Sequence, residues 1–212
     1  MILLPPADDE PEIASGITDA IIDAGRRMDE RRWVPATAGN LSIRLDESRI
    51  AITRGGVRKG RLEAEDIIAA DMDGNGLSGW GRPSSETALH CQLYRAFPHV
   101  GAVVHGHSVA ATALSLAESG PALTFTGYEM LKAFGATALH HDSLDLPMVD
   151  NEQDPTLLAA VLSPLLPSAR AGYLIRGHGT YTWGPDMDTA LARFEVLEFL
   201  LESELARRSL RV

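Results

Sequence analysis

The chain has 212 residues, 45% of them hydrophobic and 23% charged, which is too apolar for disorder and long enough for one domain with its own core. Its 19 basic and 29 acidic side chains leave a formal charge of −10, which excludes a broad nucleic-acid footprint and argues against docking on anionic lipid. The lone Cys91 excludes an internal disulfide and a thiolate zinc ribbon.

Residues 1–11, with prolines among acids and no basic start, read as a mobile lead-in rather than a signal peptide. No run approaches the ~18 apolar residues of a membrane span, so a cytoplasmic protein is expected. From Glu12 to Trp33 the positions Ile13, Ile17, Ile21, Ile22 and Met28 recur at helical spacing and predict an amphipathic helix. Ala38-Gly39-Asn40 is a turn signal. Leu41–Leu45 then alternates as a strand, and Arg49–Thr53 is its hairpin partner across Asp46-Glu47-Ser48. Ile67–Met72 reads as a strand closed by the turn Asp73-Gly74-Asn75-Gly76. Pro83-Ser84-Ser85-Glu86 opens a helix with capping chemistry, and Leu89, Leu93, Tyr94 and Phe97 form its apolar side. Val100–His105 is a nearly all-apolar stretch, the pattern of a buried strand, and a helix follows over Ser108–Ala117. Further helices are expected at Tyr128–Phe134 and Pro155–Leu166. Strands at Tyr173–Arg176 and Thr180–Trp183 flank Gly177-His178-Gly179. The last helix, Met187–Arg208, carries a stripe of Ala190, Phe194, Leu197, Leu201 and Leu205. Residues 12–212 therefore read as a single α/β domain, helices around a mixed sheet.

His105 and His107 are two apart at a strand end, so both imidazoles face one way and can reach one ion at about 2.0–2.1 Å. Such a pair can equally be two ordinary strand histidines. His178, between two glycines at another strand end, would complete three imidazoles with an open fourth position, a catalytic rather than structural arrangement. His90 on its helix and His99 after a proline read as surface or capping residues, and His140 and His141 as a strand edge. Glu86 and Glu129 each stand at a helix start, where a carboxylate serves either the helix dipole or general acid/base chemistry. From Ser48 to Leu62 there are no acids but there are Arg49, Arg54, Arg58, Lys59 and Arg61. Such a run by itself is usually a solvated face, but three donor-rich turns, Thr37–Asn40, Thr53–Gly56 and Ser84-Ser85, shift the reading to a phosphorylated ligand.

The succession Thr37-Ala38-Gly39-Asn40, Pro83-Ser84-Ser85-Glu86, His105-Gly106-His107-Ser108 and Gly177-His178-Gly179 resembles the class II aldolase family of zinc-dependent sugar-phosphate enzymes, from about Ile17 to Leu205. Lys59-Gly60, Gly127-Tyr128-Glu129, Asn151-Glu152-Gln153-Asp154 and the string Arg176–Gly184 resemble its dehydratase branch. The resemblance implies a single-domain α/β/α fold with a central mixed, mostly antiparallel sheet. It implies one zinc per subunit on His105, His107 and His178, and a homotetramer with sites between subunits. The implied activity is dehydration of the ketose 5-methylthioribulose 1-phosphate in methionine salvage. A sugar-phosphate aldolase or epimerase is the alternative, and a non-catalytic interaction module of the same fold the second. Glu129 matches the glutamate of the dehydratases and ranks first as acid/base; Glu86 matches that of the aldolases and ranks second. Gly39, Asn40, Thr53, Gly56, Lys59, Ser84 and Ser85 are the implied substrate contacts. Two departures stand out: Gly55 replaces a common serine of the phosphate turn, and Gly106 replaces the usual threonine between the two ligand histidines.

Overall fold

Helix α1 (Ser15–Glu30) buries Ile21, Ala24 and Met28 on one side, as their three- and four-residue spacing requires. These details come from a computed structural model that describes residues 13–77, 81–135 and 143–210; the expected lead-in and the pair His140 and His141 lie outside the described residues. The helix ends before Trp33 because Arg32 takes a left-handed φ of 63°, and Trp33 then turns into the core. The expected hairpin forms from β1 (Asn40–Arg44) and β2 (Arg49–Thr53), with β3 (Ile67–Asp71) beside β2. Asn40, read as part of a turn, is the first residue of β1.

Next come α2 (Thr87–Ala96), β4 (Ala102–Gly106) and α3 (Val109–Ala117), whose start is capped by Ser108 accepting from the Ala111 amide. Two strands follow that the sequence reading omits, β5 (Ala122–Thr126) and β6 (Ser143–Val149). In β5, Leu123 and Phe125 are buried between exposed Thr124 and Thr126, a clean two-residue period over a short span. In β6 the alternation is interrupted by Pro147, which cannot donate to a ladder and masks the strand signal. The segment expected as a helix at Tyr128–Phe134 is a 3₁₀ stretch, Glu129–Phe134. Helix α4 (Pro155–Leu162) stops short of Leu166 because Pro164 has no amide hydrogen to continue it. Strands β7 (Tyr173–Ile175) and β8 (Gly179–Gly184) and helix α5 (Met187–Ser209) complete the chain.

Among the described residues eight strands form one sheet in the order β3-β2-β1-β4-β8-β7-β6-β5, antiparallel throughout except β6 with β7. On one face Ile21 and Met28 of α1 and Phe194 of α5 pack on Leu41, Ala51 and Val104. On the same side, Ala110 and Leu114 of α3 join Leu197 and Leu200. On the other face Leu89 and Leu93 of α2 and Leu158 and Leu162 of α4 pack on Ile50, Ile52, Val103 and Tyr181. The result is the three-layer α/β/α arrangement expected. A side chain as fully buried as Phe194 contributes about 1.5–3 kcal/mol to this packing.

Antiparallel pairing decides where the site lies. The start of β1, the end of β4 and the start of β8 fall at one end of the sheet centre, with Asn40 opposite His105 and His105 opposite Tyr181.

Candidate active site

At that sheet end the three predicted histidines converge. The nearest ring nitrogens of His105, His107 and His178 all lie within 4.8 Å of one another. The carbonyl of Thr180, an obligate acceptor, stands 3.0 Å from His105 Nδ1, so His105 carries its proton there and presents a bare Nε2. That Nε2 is buried with no hydrogen-bond partner among the described residues. His178 is oriented the same way by donating from Nδ1 to Asn151 Oδ1 at 3.2 Å. His107 is set by its backbone N–H, which donates to the Trp33 carbonyl at 2.6 Å. Burial pushes His105 down to about 3 and His107 down to about 4, so both are neutral at pH 7, the form that ligates metal. A bare buried nitrogen, neutral rings and an ordering acceptor behind His105 fit a divalent cation.

Close backbone approach makes this possible. Gly39 has φ +76°, and a Cβ there would lie 2.8 Å from the His105 carbonyl. A Cβ on Gly179 would collide with the Gly106 carbonyl and crowd the His105 ring. Gly106, in place of a threonine, lies beneath Phe194 and Met28, whose tips would be 2.6 Å and 2.8 Å from any Cβ. Tyr181 stacks on His105 with ring centres 4.0 Å apart and holds its plane.

Glu86 is the N-terminal capping position of α2 and faces the three rings. Its Oε1 is 3.1 Å from His178 Nε2, and its Oε2 is 3.3 Å from His105 Nε2. The Asn40 amide donates to the same Oε2 at 2.7 Å and to Ser84 Oγ at 3.1 Å. Burial pushes the Glu86 carboxyl up, but His105, His178 and the Asn40 amide together outweigh it and hold it well below the usual carboxylate range. Because His105 is itself neutral at pH 7, the Asn40 amide donor rather than a His105 charge supplies that pull there.

A cavity of about 410 Å³ opens in front of Glu86, His107 and His178. Of the expected substrate contacts, Gly39, Asn40, Gly56, Lys59, Ser84 and Ser85 line it. Lys59 is 2% exposed and donates from Nζ to the carbonyls of Thr37 and Val57; burial pushes its ammonium down to about 8. Of the five basic residues in the run around it, only Lys59 lines the cavity; Arg49 pairs with Asp46 and Arg54 with Asp66. Two expected site residues are placed elsewhere. Thr53 is fully buried in β2, where its hydroxyl accepts from the Leu41 amide at 3.3 Å, a sheet role. Glu129, on the 3₁₀ stretch, is exposed, pairs with Lys132 and does not line the cavity.

One histidine lies where it was not expected, and two residues quoted only for the family likeness stand at the site. His90 is completely buried rather than on the surface, and it bonds to Asn40 and Ser42. The available signal was its position four residues after Glu86 on one helix face. Asn151 orients His178, and Gln153 joins it in the cavity wall. His99 is exposed, as expected.

A family model described as the class II aldolase and adducin N-terminal domain matches residues 19–205. The chain is 54% identical over 194 residues to the methylthioribulose-1-phosphate dehydratase of Gluconacetobacter diazotrophicus, covering 92% of this chain and 95% of that one. It is 57% identical over 187 residues to the protein of the same name from Gluconobacter oxydans, covering 88% and 90%. Among solved structures, L-fuculose-1-phosphate aldolase from Thermus thermophilus superposes with a TM-score of 0.74 at 24% identity, covering 93% of this chain and 97% of that one, a likeness of fold.

Proposed function

The chain belongs to the class II aldolase and adducin family, and from that premise we propose that it is a hydro-lyase converting 5-methylthioribulose 1-phosphate to 5-methylthio-2,3-dioxopentyl phosphate in methionine salvage. The observation that carries this is a cavity lined by His107, His178, Glu86 and the buried Lys59, with His105 converging on the other two imidazoles from behind and the carboxylate within 3.3 Å of His105 and His178. His105, His107 and His178 would hold the cation, zinc in our reading, which supplies Lewis-acid polarisation of the ketone when bound.

The substrate's phosphate is met by Lys59 and by the donors at Gly39, Gly56, Ser84 and Ser85. Its carbonyl end then faces Glu86. The C2 carbonyl acidifies the C3 hydrogen; a carboxylate removes that proton, hydroxide leaves C4 and departs as water, and the enol closes to the diketone. Glu86, the second acid/base group, is held in place for proton transfer by the Asn40 amide on Oε2, while its Oε1 lies 3.1 Å from His178 Nε2 at the cavity wall.

Glu129 fills its implied role as the main acid/base group from a second copy of the chain in a homotetramer. Its exposure supports that, and so do exposed Val109 and Leu116 on α3, the helix that begins just after His107. A cytoplasmic location suits a chain whose single cysteine is buried and free.

The test is product analysis with zinc-loaded protein. From 5-methylthioribulose 1-phosphate it is expected to yield a diketone absorbing in the near ultraviolet, and from L-fuculose 1-phosphate no aldehyde. Release of lactaldehyde from the second substrate and no diketone from the first would move the reading to an aldolase.

A further inference from the structure

Glu86, His90 and Tyr94 stand four residues apart along α2. Asn40, Ser42 and Arg44 stand two apart along β1. Four helical residues advance about 6 Å and two strand residues about 6.7 Å, so the two rows stay in step where the helix lies on the sheet. They mesh through polar atoms in the middle of a core that is otherwise apolar. Arg44 closes the far end, its guanidinium 4.7 Å from the Tyr94 ring centre.

The direction of every bond in this ladder follows from chemistry. Asn40 Nδ2 donates to Glu86 Oε2 at 2.7 Å and to Ser84 Oγ at 3.1 Å, so Asn40 Oδ1 is the amide's acceptor. His90 Nε2 sits against that oxygen and must therefore carry the proton. Burial pushes His90 down to about 4, against the pull of Glu86, so its ring is neutral and Nδ1 is bare. The Ser42 hydroxyl donates to Nδ1 at 2.7 Å, and the Tyr94 hydroxyl then donates to Ser42 Oγ at 2.8 Å. Each polar group has a partner in its one consistent role, and the ladder ends on the carboxylate.

We propose that His90 is a positioning residue for Glu86. Its Nε2–H locks the Asn40 amide in the orientation that offers an N–H, not a carbonyl oxygen, to the carboxylate. Without that lock the amide is free to turn over. Its oxygen would then face Oε2, and the carboxylate would swing from the place where it meets substrate. His90 also fills space against Tyr181, with ring centres 5.7 Å apart, so the test separates orientation from packing. The proposal rests on Glu86 as a proton-transferring group.

His90→Leu keeps bulk and loses both hydrogen bonds; His90→Asn keeps a partner for Ser42 only; His90→Gln restores a donor near the Nε2 position. With metal content and melting temperature matched to the parent, kcat is expected to fall about 10–100-fold in the Leu and Asn variants. KM should stay within about three-fold of the parent, and the Gln variant should recover most of the loss. Parent-like kcat in the Leu variant would overturn the proposal, provided Glu86→Gln is crippled in the same assay. A near-normal Glu86→Gln would instead remove the reading of Glu86, and this inference with it. The metal-free parent gives a second readout that needs no variant: long-range proton–nitrogen spectra should show His90 as the neutral Nε2–H tautomer from pH 8 to pH 5. The Nδ1–H tautomer, or titration near 6.5, would overturn the proposal whatever the kinetics.

Discussion

Glu86 and Glu129 both open a helical segment, and the ground around them differs in almost every respect that matters to a proton. Glu86 is four-fifths buried, faces two imidazoles and takes an amide N–H that is itself held by a buried histidine. Glu129 is three-quarters exposed and touches one lysine on its own short segment. A carboxylate fixed by its own chain can be ready before substrate arrives, whereas an exposed one acquires a function only by being covered. The comparison teaches that one glutamate is organised by its own chain beside the histidines, while the other is left at the surface.

The sharpest way to break that contrast is to replace each glutamate by glutamine. Loss of one positioned acid/base group typically costs about 10²–10⁴-fold in turnover, and we expect losses in that range for both variants, with metal content retained. Their difference should emerge on mixing. If Glu129 acts from a second copy, co-assembled Glu86→Gln and Glu129→Gln chains recover intact sites, roughly a quarter of the total for equal amounts. If the mixture stays as inactive as its components, Glu129 does not act across a subunit boundary.

The legibility of the sequence follows the same division. His-x-His at a strand end and Gly-His-Gly at another are local signals, and the ends of β4 and β8 meet because antiparallel neighbours must. Most of the donor turns read in the same way, and their residues line one cavity. What was not legible depends on partners distant in sequence. His90 looks like a surface helix histidine until Asn40 and Ser42, 50 and 48 residues away, supply its hydrogen bonds. Thr53 carries the right hydroxyl, but the sheet claims it through the Leu41 amide. Strand β6 was hidden by Pro147, and of the four basic side chains around Lys59, Arg49 and Arg54 are taken by Asp46 and Asp66 while Arg58 and Arg61 are exposed.

A second contrast lies behind the metal wall. Glu198 of α5 is completely buried, with the Thr180 hydroxyl 3.4 Å from one oxygen and, among the described residues, no hydrogen-bond partner for the other. Burial pushes its carboxyl up to about 7, the opposite direction from Glu86. The neutral form is favoured in the folded state, so its stabilisation is complete below the unfolded value near 4.5 and is lost as pH rises through about 7. A shift of that size corresponds to on the order of 3 kcal/mol by alkaline pH. Glu198→Gln mimics the neutral form. Urea unfolding of the metal-free protein should find it close to the parent at pH 5 and clearly more stable at pH 8.5. Parallel stability curves across that range would mean Glu198 is ionised in the fold.

The smallest expected effect concerns the end of the cavity proposed to hold phosphate, where Gly55 stands in place of the serine common in the family's turn. Gly55 donates its amide to the Arg82 carbonyl at 3.1 Å, and a Cβ there would lie 3.4 Å from the Pro83 carbonyl and 3.8 Å from Ser84 Cα. Both are ordinary contacts, and the backbone is outside the left-handed region, so Gly55→Ser should leave stability within about 0.5 kcal/mol. The added hydroxyl would join the donors of Gly56, Ser84 and Lys59 at the same wall. A partly solvated hydrogen bond to a phosphate is worth about 0.5–1 kcal/mol here, which lowers KM roughly two- to five-fold with kcat unchanged. An equal fall in KM for a substrate analogue lacking the phosphate would show that the turn does not read that group. A KM that rises instead would mean the serine side chain obstructs a turn that this chain uses through its backbone alone.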